Sequence, residues 1–195
     1  MKVVLASNNA HKVEELKQNL PVDFSIVTMA ELDIESPDET GTTFVENAII
    51  KARYAAEQSG LAAIADDSGL EVDYLNGAPG IYSSRFAGAD ATDSQNNIKL
   101  LEALKGVPTD LRRARFRSVI VMLKHKADPT PVIAMGTWEG QILTSPKGDK
   151  GFGYDPIFFV PHLNRCAAEL TQDEKTNHSH RGLALKQLNQ ILANR

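Results

Sequence analysis

The sequence predicts an α/β fold in which a central mixed, twisted β-sheet is flanked by helices. Three observations lead there. In the first half of the chain, short apolar runs alternate with segments of helical periodicity, the pattern of strands connected through helices. From Ala114 onward two β-rich runs follow one another across a short polar link, which sets strands side by side with no helix between them. The chain then closes on a segment with apolar residues on one helical face.

Lys2 to Ala6 is a short apolar run, expected to be a strand, and Ser7-Asn8-Asn9 follows as a polar turn. Between His11 and Leu20 the apolar residues Val13, Leu16 and Leu20 recur at helical spacing, and Pro21 stops the helix. A second strand is expected over Phe24–Thr28, and residues 31–42 (ELDIESPDETGT) read as an acidic loop. Thr43-Phe44-Val45-Glu46 has the spacing of a capping box and opens a helix to about Gln58, with Gly60 as its C-terminal stop. Ala48, Ala52, Ala55 and Ala56 on that helix predict close packing.

Leu61 to Ala65 is again short and apolar, and it runs straight into Asp66-Asp67-Ser68-Gly69, which places two neighbouring carboxylates at the strand end. Gly77-Ala78-Pro79-Gly80 is a loop, and Thr92-Asp93-Ser94-Gln95 starts a helix carrying Ile98, Leu101 and Leu104. Ala114–Leu123 and Pro131–Trp138 are expected to form a hairpin. Residues 144–155 are a glycine-rich loop before a strand at Ile157–Val160, and Ser179 or His180 begins a last helix with Leu185, Leu188, Ile191 and Leu192 on one face.

At 195 residues and 42% hydrophobic composition, the chain can bury a sizeable core as one domain, 1–195, or as one domain with two lobes. A net charge of −4 argues against a nucleic-acid partner, which calls for a basic face. The single cysteine, Cys166, excludes an internal disulfide, fits a reducing compartment, and is expected to be a small buried or half-buried residue. The N-terminal apolar run is too short for a secretion signal, and no stretch approaches the roughly 20 apolar residues of a membrane span. A cytoplasmic protein is expected.

Five segments have residues suited to chemistry. Ser7-Asn8-Asn9-Ala10-His11-Lys12 joins a strand to a helix start, where free backbone N–H groups and the positive dipole end favour phosphate; it reads either as a phosphate turn or as an ordinary polar connection. Asp66-Asp67 sets neighbouring carboxylates at a strand end, where they are either solvated in a turn or engaged with a metal such as Mg²⁺. Glu39, in the sequence Asp38-Glu39-Thr40, offers a further carboxylate or merely a charged turn. In Gly151-Phe152-Gly153-Tyr154-Asp155-Pro156 the glycines permit close approach of a ligand, the aromatics offer a face for a base, and Asp155 an acceptor; a turn with core aromatics is the other reading. Lys175 and the sequence Ser179-His180-Arg181 put cations near a helix N-terminus, where they oppose the dipole unless an anion or a carbonyl lies nearby.

The order SxNxxK, DETG, IADDSG, GAPGIYSSR, GFGYDPIF and SHRG resembles the inosine triphosphate pyrophosphatase family, from Lys2 to the last helix. The resemblance implies a homodimer of two-lobed α/β subunits with the nucleotide in the cleft between lobes, a Mg²⁺ requirement, and hydrolysis of dITP, ITP and XTP to the monophosphate and pyrophosphate, cleansing the nucleotide pool. Carried over by motif, Ser7, Asn8, Asn9, Ala10, His11 and Lys12 would hold the phosphates. Glu39 and Asp67 would bind Mg²⁺, with Asp67, helped by Asp66, activating water. Ser68 would touch the substrate, and Phe152, Gly153, Tyr154, Asp155, Lys175, His180 and Arg181 would hold base and sugar. The family turn often has glycines where this chain has Asn8 and His11. Two other readings stay open from the residues alone: a pyrophosphatase for a pyrimidine triphosphate, and a nucleotide-sensing module that would have no need of the Asp66-Asp67 pair.

Overall fold

The computed structural model describes residues 1–7 and 9–194, so Asn8 lies outside the described residues. Among the described residues seven strands form one mixed sheet: β1 (Lys2–Ala6), β2 (Ser25–Thr28), β3 (Ala62–Val72), β4 (Arg113–Leu123), β5 (Val132–Ile142), β6 (Phe158–Val160) and β7 (Arg165–Cys166), in the order β2-β1-β3-β4-β5-β6-β7. The helices are α1 (Ala10–Asn19), α2 (Phe44–Ser59), α3 (Asp93–Ala103), α4 (Gln172–His178) and α5 (His180–Ala193). By compactness the chain divides into two units: one of residues 1–67, 118–136 and 181–195, the other of residues 68–117 and 137–180. No helix among the described residues is long and apolar enough to cross a membrane.

In the first unit β1 runs parallel to both β2 and β3, Val3 pairing with Ile26 and with Ala62. Val3, Val4 and Leu5 are all fully buried, because this strand is covered on both faces. Alternate residues feed two separate cores. Val3 and Leu5 meet Leu16 of α1 and Leu185 and Leu188 of α5, while Val4 and Ala6 meet Ala48, Ala52 and Ala55 of α2. The alanine stripe lets α2 lie close to the sheet, as expected from its spacing. Helix starts follow local chemistry. Asn9 caps α1 by accepting from the Lys12 N–H at 3.1 Å, and Thr43 and Glu46 complete the capping box of α2, which ends at Gly60. The link between the neighbouring strands β4 and β5 is pinned by Asp128, which accepts from the Lys124 and Thr130 N–H groups, each at 2.9 Å.

The second unit has its own core, in which Leu70, Val72, Leu100, Leu104, Phe116, Trp138, Ile157 and Phe158 pack together. Here β6 is antiparallel to both β5 and β7.

Three expectations need correction. The strand expected to end at Ala65 does not end there: β3 passes straight through Asp66-Asp67-Ser68-Gly69 to Val72, which removes the turn reading of that segment. Of the apolar residues expected on α3, Leu101 and Leu104 pack with the second unit's core, but Ile98 is 54% exposed and Asn96, Asn97 and Leu100 are the buried residues of the helix. Residues 172–178, for which no element was expected, form α4, opened by a capping box of Thr171 and Glu174.

Candidate active site

A β-strand alternates its side chains between faces, so β3 sends Asp66 and Asp67 to opposite sides of the sheet. Asp66 has the parity of Ile64 and points toward α1 and α5; Asp67 has the parity of Ala65 and points toward α2. Each finds its own cation. Asp66 is 1% exposed, with Oδ2 3.0 Å from Lys12 Nζ and 3.5 Å from Arg181 Nε. Arg181, 3% exposed, also pairs with Glu15 at 2.5 Å. On the other face, Lys51 Nζ donates to Asp67 Oδ1 at 3.0 Å and to Glu39 Oε1 at 2.7 Å. These cations are what allow two adjacent carboxylates inside a strand: a buried charge is tolerated when it is paired.

The two faces differ in electrostatics. Burial works to raise the Asp66 pKa, but Lys12, Arg181 and Lys51 together outweigh it and hold this carboxyl well below the usual range. Burial lowers the Lys12 pKa, with Asp66 opposing. For Asp67, burial raises the pKa, and Glu39 adds to the rise while Lys51 and Lys12 counter it. Burial pulls Lys51 down, yet Asp67, Asp66 and Glu39 leave it raised, so it stays an ammonium. Taken by themselves, Lys51, Asp67 and Glu39 carry a net negative charge.

That second group suits a hard divalent cation. Asp67 Oδ2 is buried and makes no hydrogen bond among the described residues. Glu39 Oε1 and Asp67 Oδ1 converge on one ammonium, so both carboxylates lie within reach of a common point. No group of three or more His, Cys, Asp or Glu with metal-site geometry occurs among the described residues. Mg²⁺ needs no such cage, since it is commonly held by one or two carboxylates with substrate phosphates and water.

The remaining residues of the first unit's set surround the start of α1. Ser7 Oγ accepts from the Asn9 N–H at 3.3 Å, and Asn9, Ala10 and His11 are exposed, so the first turn of the helix faces solvent. Lys12 is the member of this turn tied to the acidic pair.

In the second unit, Asp155 is 7% exposed, pairs with the buried Lys175, and accepts from the Phe152 N–H at 3.0 Å. Gly151, at φ +79°, is required here: a Cβ would run into Asp155 Oδ2 and Lys175 Nζ. Cys166, buried as expected, donates its S–H to the Asp155 carbonyl at 3.0 Å. Tyr154 is 4% exposed, packs in the core and donates its hydroxyl to the Ser83 carbonyl at 2.8 Å. Its ring is a core element, and of the two aromatics in the segment Phe152 is the one that reaches the surface. His180 stacks on Phe116, with centroids 4.8 Å apart and 12° between planes. Ser68 lies in β3 and opens this unit.

Sequence reasoning missed Lys51, Glu15 and Phe116. For Lys51 a signal existed: it shares the helical face of Ala48, Ala52 and Ala55, and a charge on a buried stripe calls for a partner. Glu15 and Phe116 have no comparable local mark.

Known proteins resemble this chain over nearly its whole length. The sequence model of the Ham1 family matches residues 3–191. A protein of Escherichia coli O157:H7 named dITP/XTP pyrophosphatase is 59% identical over 195 residues, covering 99% of this chain and 98% of its own. One of the same name from Vibrio vulnificus strain YJ016 is 57% identical over 188 residues, covering 96% and 94%. Among solved structures, a HAM1 protein from Coxiella burnetii superimposes with a TM-score of 0.94 at 48% identity over the whole of both chains. The Ham1 protein of Staphylococcus aureus does so at 0.90 and 42%, over 100% of this chain and 99% of its own. Sequence and fold thus agree over nearly the full length, and the chain belongs to the Ham1 family.

Proposed function

We propose that this protein is a Mg²⁺-dependent nucleoside triphosphate pyrophosphatase that hydrolyses the non-canonical purine nucleotides dITP, ITP and XTP to the monophosphate and pyrophosphate. The observation that carries the proposal is the Asp66-Asp67 pair, with one carboxylate neutralised by Lys12 and Arg181 and the other left with a spare buried oxygen beside Lys51 and Glu39. A sensing module would have no use for the second carboxylate. The names of the relatives support the same substrate class.

The N-terminus of α1, with Ser7, Asn8, Asn9, Ala10, His11 and Lys12, receives the phosphates. The positive end of its dipole favours anions, and Lys12 adds a charge. Mg²⁺ held by Glu39 and Asp67 would neutralise phosphate charge and make a nucleophile available at neutral pH. Asp67 accepts a proton from the attacking water. The water oxygen bonds to the α-phosphorus, the bond from that phosphorus to the bridging oxygen breaks, and pyrophosphate leaves with the bridging oxygen. Asp66, held ionised, keeps Lys12 and Arg181 in place.

Ser68, Phe152, Gly153, Asp155, Lys175, His180 and Arg181 are the residues proposed for base and sugar, with the core-packed Tyr154 supporting the segment of Phe152 and Gly153. Lys175 has three donors and only part of them is engaged by Asp155. Such donors match the 6-keto group of hypoxanthine and xanthine; against the 6-amino group of adenine a buried donor stays unpaired, at about 1–3 kcal/mol. A homodimer and a cytoplasmic location belong to the same proposal; sedimentation of the purified protein reads the first directly.

The test is product analysis with Mg²⁺ and a panel of dITP, ITP, XTP, GTP, ATP and dUTP. Monophosphate and pyrophosphate from the first three, abolished by chelation, is the expected result. Release of orthophosphate, or turnover of dUTP in preference, would overturn it.

A further inference from the structure

We propose that Asp93 and Asn97 are positioning residues for the base-recognition segment, holding Gly153 from both sides so that Phe152 is presented in one direction. The inference rests on the reading that residues 152–155 receive the base.

Asp93 and Asn97 are four apart on α3 and therefore share a face. Asp93 Oδ2 accepts from the Gly153 N–H at 2.7 Å, and Asn97 Nδ2 donates to the Gly153 carbonyl at 3.0 Å. The peptides before and after Gly153 are therefore both anchored to one helix. Gly153 has φ +63°, a region in which its own chemistry imposes little restraint, so outside anchors decide the conformation. Its neighbours are fixed from other directions: the Phe152 N–H by Asp155, and the Tyr154 hydroxyl by Ser83. With Asp93 and Asn97 added, successive residues of the segment are all tied before any ligand arrives, and this preorganisation spares ordering entropy on binding.

Asn97 also shows what the contact costs. It is 8% exposed, and its Oδ1 makes no hydrogen bond among the described residues. A buried unmade hydrogen bond is unfavourable, so packing stability alone does not select this side chain. A role confined to helix stability is the competing account for Asp93, the first residue of α3, where a carboxylate favours the helix dipole.

The experiment measures KM and kcat for ITP, together with Tm, in Asn97→Ala, Asn97→Asp, Asp93→Ala, Asp93→Asn and Phe152→Ala. Asp93→Ala and Asn97→Ala are expected to raise KM about tenfold, the loss of roughly one positioned hydrogen bond, with kcat changed less than about twofold. Asp93→Asn keeps an oxygen that accepts from Gly153 and is expected within about twofold of the parent protein. Asn97→Asp is isosteric, turns a carboxylate toward the Gly153 carbonyl, and is expected to raise KM at least as far; it keeps the test open should Asn97→Ala fail to fold. A lowered Tm with unchanged KM in the alanine variants overturns the proposal in favour of helix stability. Equal impairment in Asp93→Asn and Asp93→Ala also overturns it, because charge and not the hydrogen bond would then matter. Unchanged KM in Phe152→Ala overturns the base-recognition reading itself; raised KM there, with Asp93→Ala and Asn97→Ala unchanged, overturns the clamp alone.

Discussion

Lys51→Met removes a buried ammonium and keeps most of its aliphatic stem. In the folded protein Lys51 is 9% exposed and bridges Glu39 at 2.7 Å and Asp67 at 3.0 Å. Deleting one partner of a buried ion pair costs about 3–5 kcal/mol. The Glu39 side chain is 27% exposed and recovers some hydration, so the lower end, about 3 kcal/mol, applies. For a chain of this length each kcal/mol shifts Tm by about 2–4 °C, which predicts a fall of roughly 6–12 °C near neutral pH. The pH dependence follows from Asp67. Its folded pKa already lies above the model-compound 3.8, and losing Lys51 raises it further. A carboxyl that binds its proton more tightly folded than unfolded loses stability as pH rises from its unfolded pKa through its folded one. The deficit of the variant should therefore grow with pH across that window and level off above it. Added Mg²⁺ takes up charge between the same two carboxylates, so it should raise the Tm of the variant more than that of the parent. Differential scanning fluorimetry from pH 4 to 8, with and without Mg²⁺, reads all three effects. A Tm within about 2 °C of the parent near neutral pH, or a Mg²⁺ shift no larger than the parent's, would refute the reasoning.

Asp67→Asn keeps an acceptor for Lys51 but removes the charge, and turnover should fall at least ~100-fold with the fold retained; steady-state kinetics and circular dichroism check the two halves. Gly151→Ala places a methyl group against Asp155 and Lys175 at φ +79°, and should cost about 1–3 kcal/mol from the backbone strain alone, measured by urea unfolding. Glu174 is held at about 2 by Arg165 and the Thr171 cap, so its contribution is present above the ordinary 4.5 and is lost as pH falls through about 2. Glu174→Gln should flatten the acid limb of the stability profile over that range, and an unchanged limb would show the pairing to be idle.

What could be read from the sequence was local. The strand at Lys2–Ala6, the capping box of Thr43 and Glu46, and the face of Leu185, Leu188, Ile191 and Leu192 all lie within a few residues of the signals that mark them, and they fold as expected. The misreading of Asp66-Asp67-Ser68-Gly69 has the opposite cause. Turn-forming residue types argue for a bend, but Lys12, Lys51 and Arg181, distant in sequence, neutralise the carboxylates and let β3 continue. The helix of residues 172–178 escaped because QDEKTNH has no apolar periodicity; only the Thr171–Glu174 cap announces it. Tyr154 illustrates the same limit at the candidate site. An aromatic beside glycines suits either a ligand or a core, and only the packing with the hydroxyl on Ser83 shows which.

The central claim is that water activated at Asp67 attacks the α-phosphorus. Hydrolysis of ITP in ¹⁸O-labelled water, with mass analysis of both products, tests it most directly. The account predicts one labelled oxygen in the monophosphate and none in the pyrophosphate; label in the pyrophosphate would mean attack at the β-phosphorus and would contradict it.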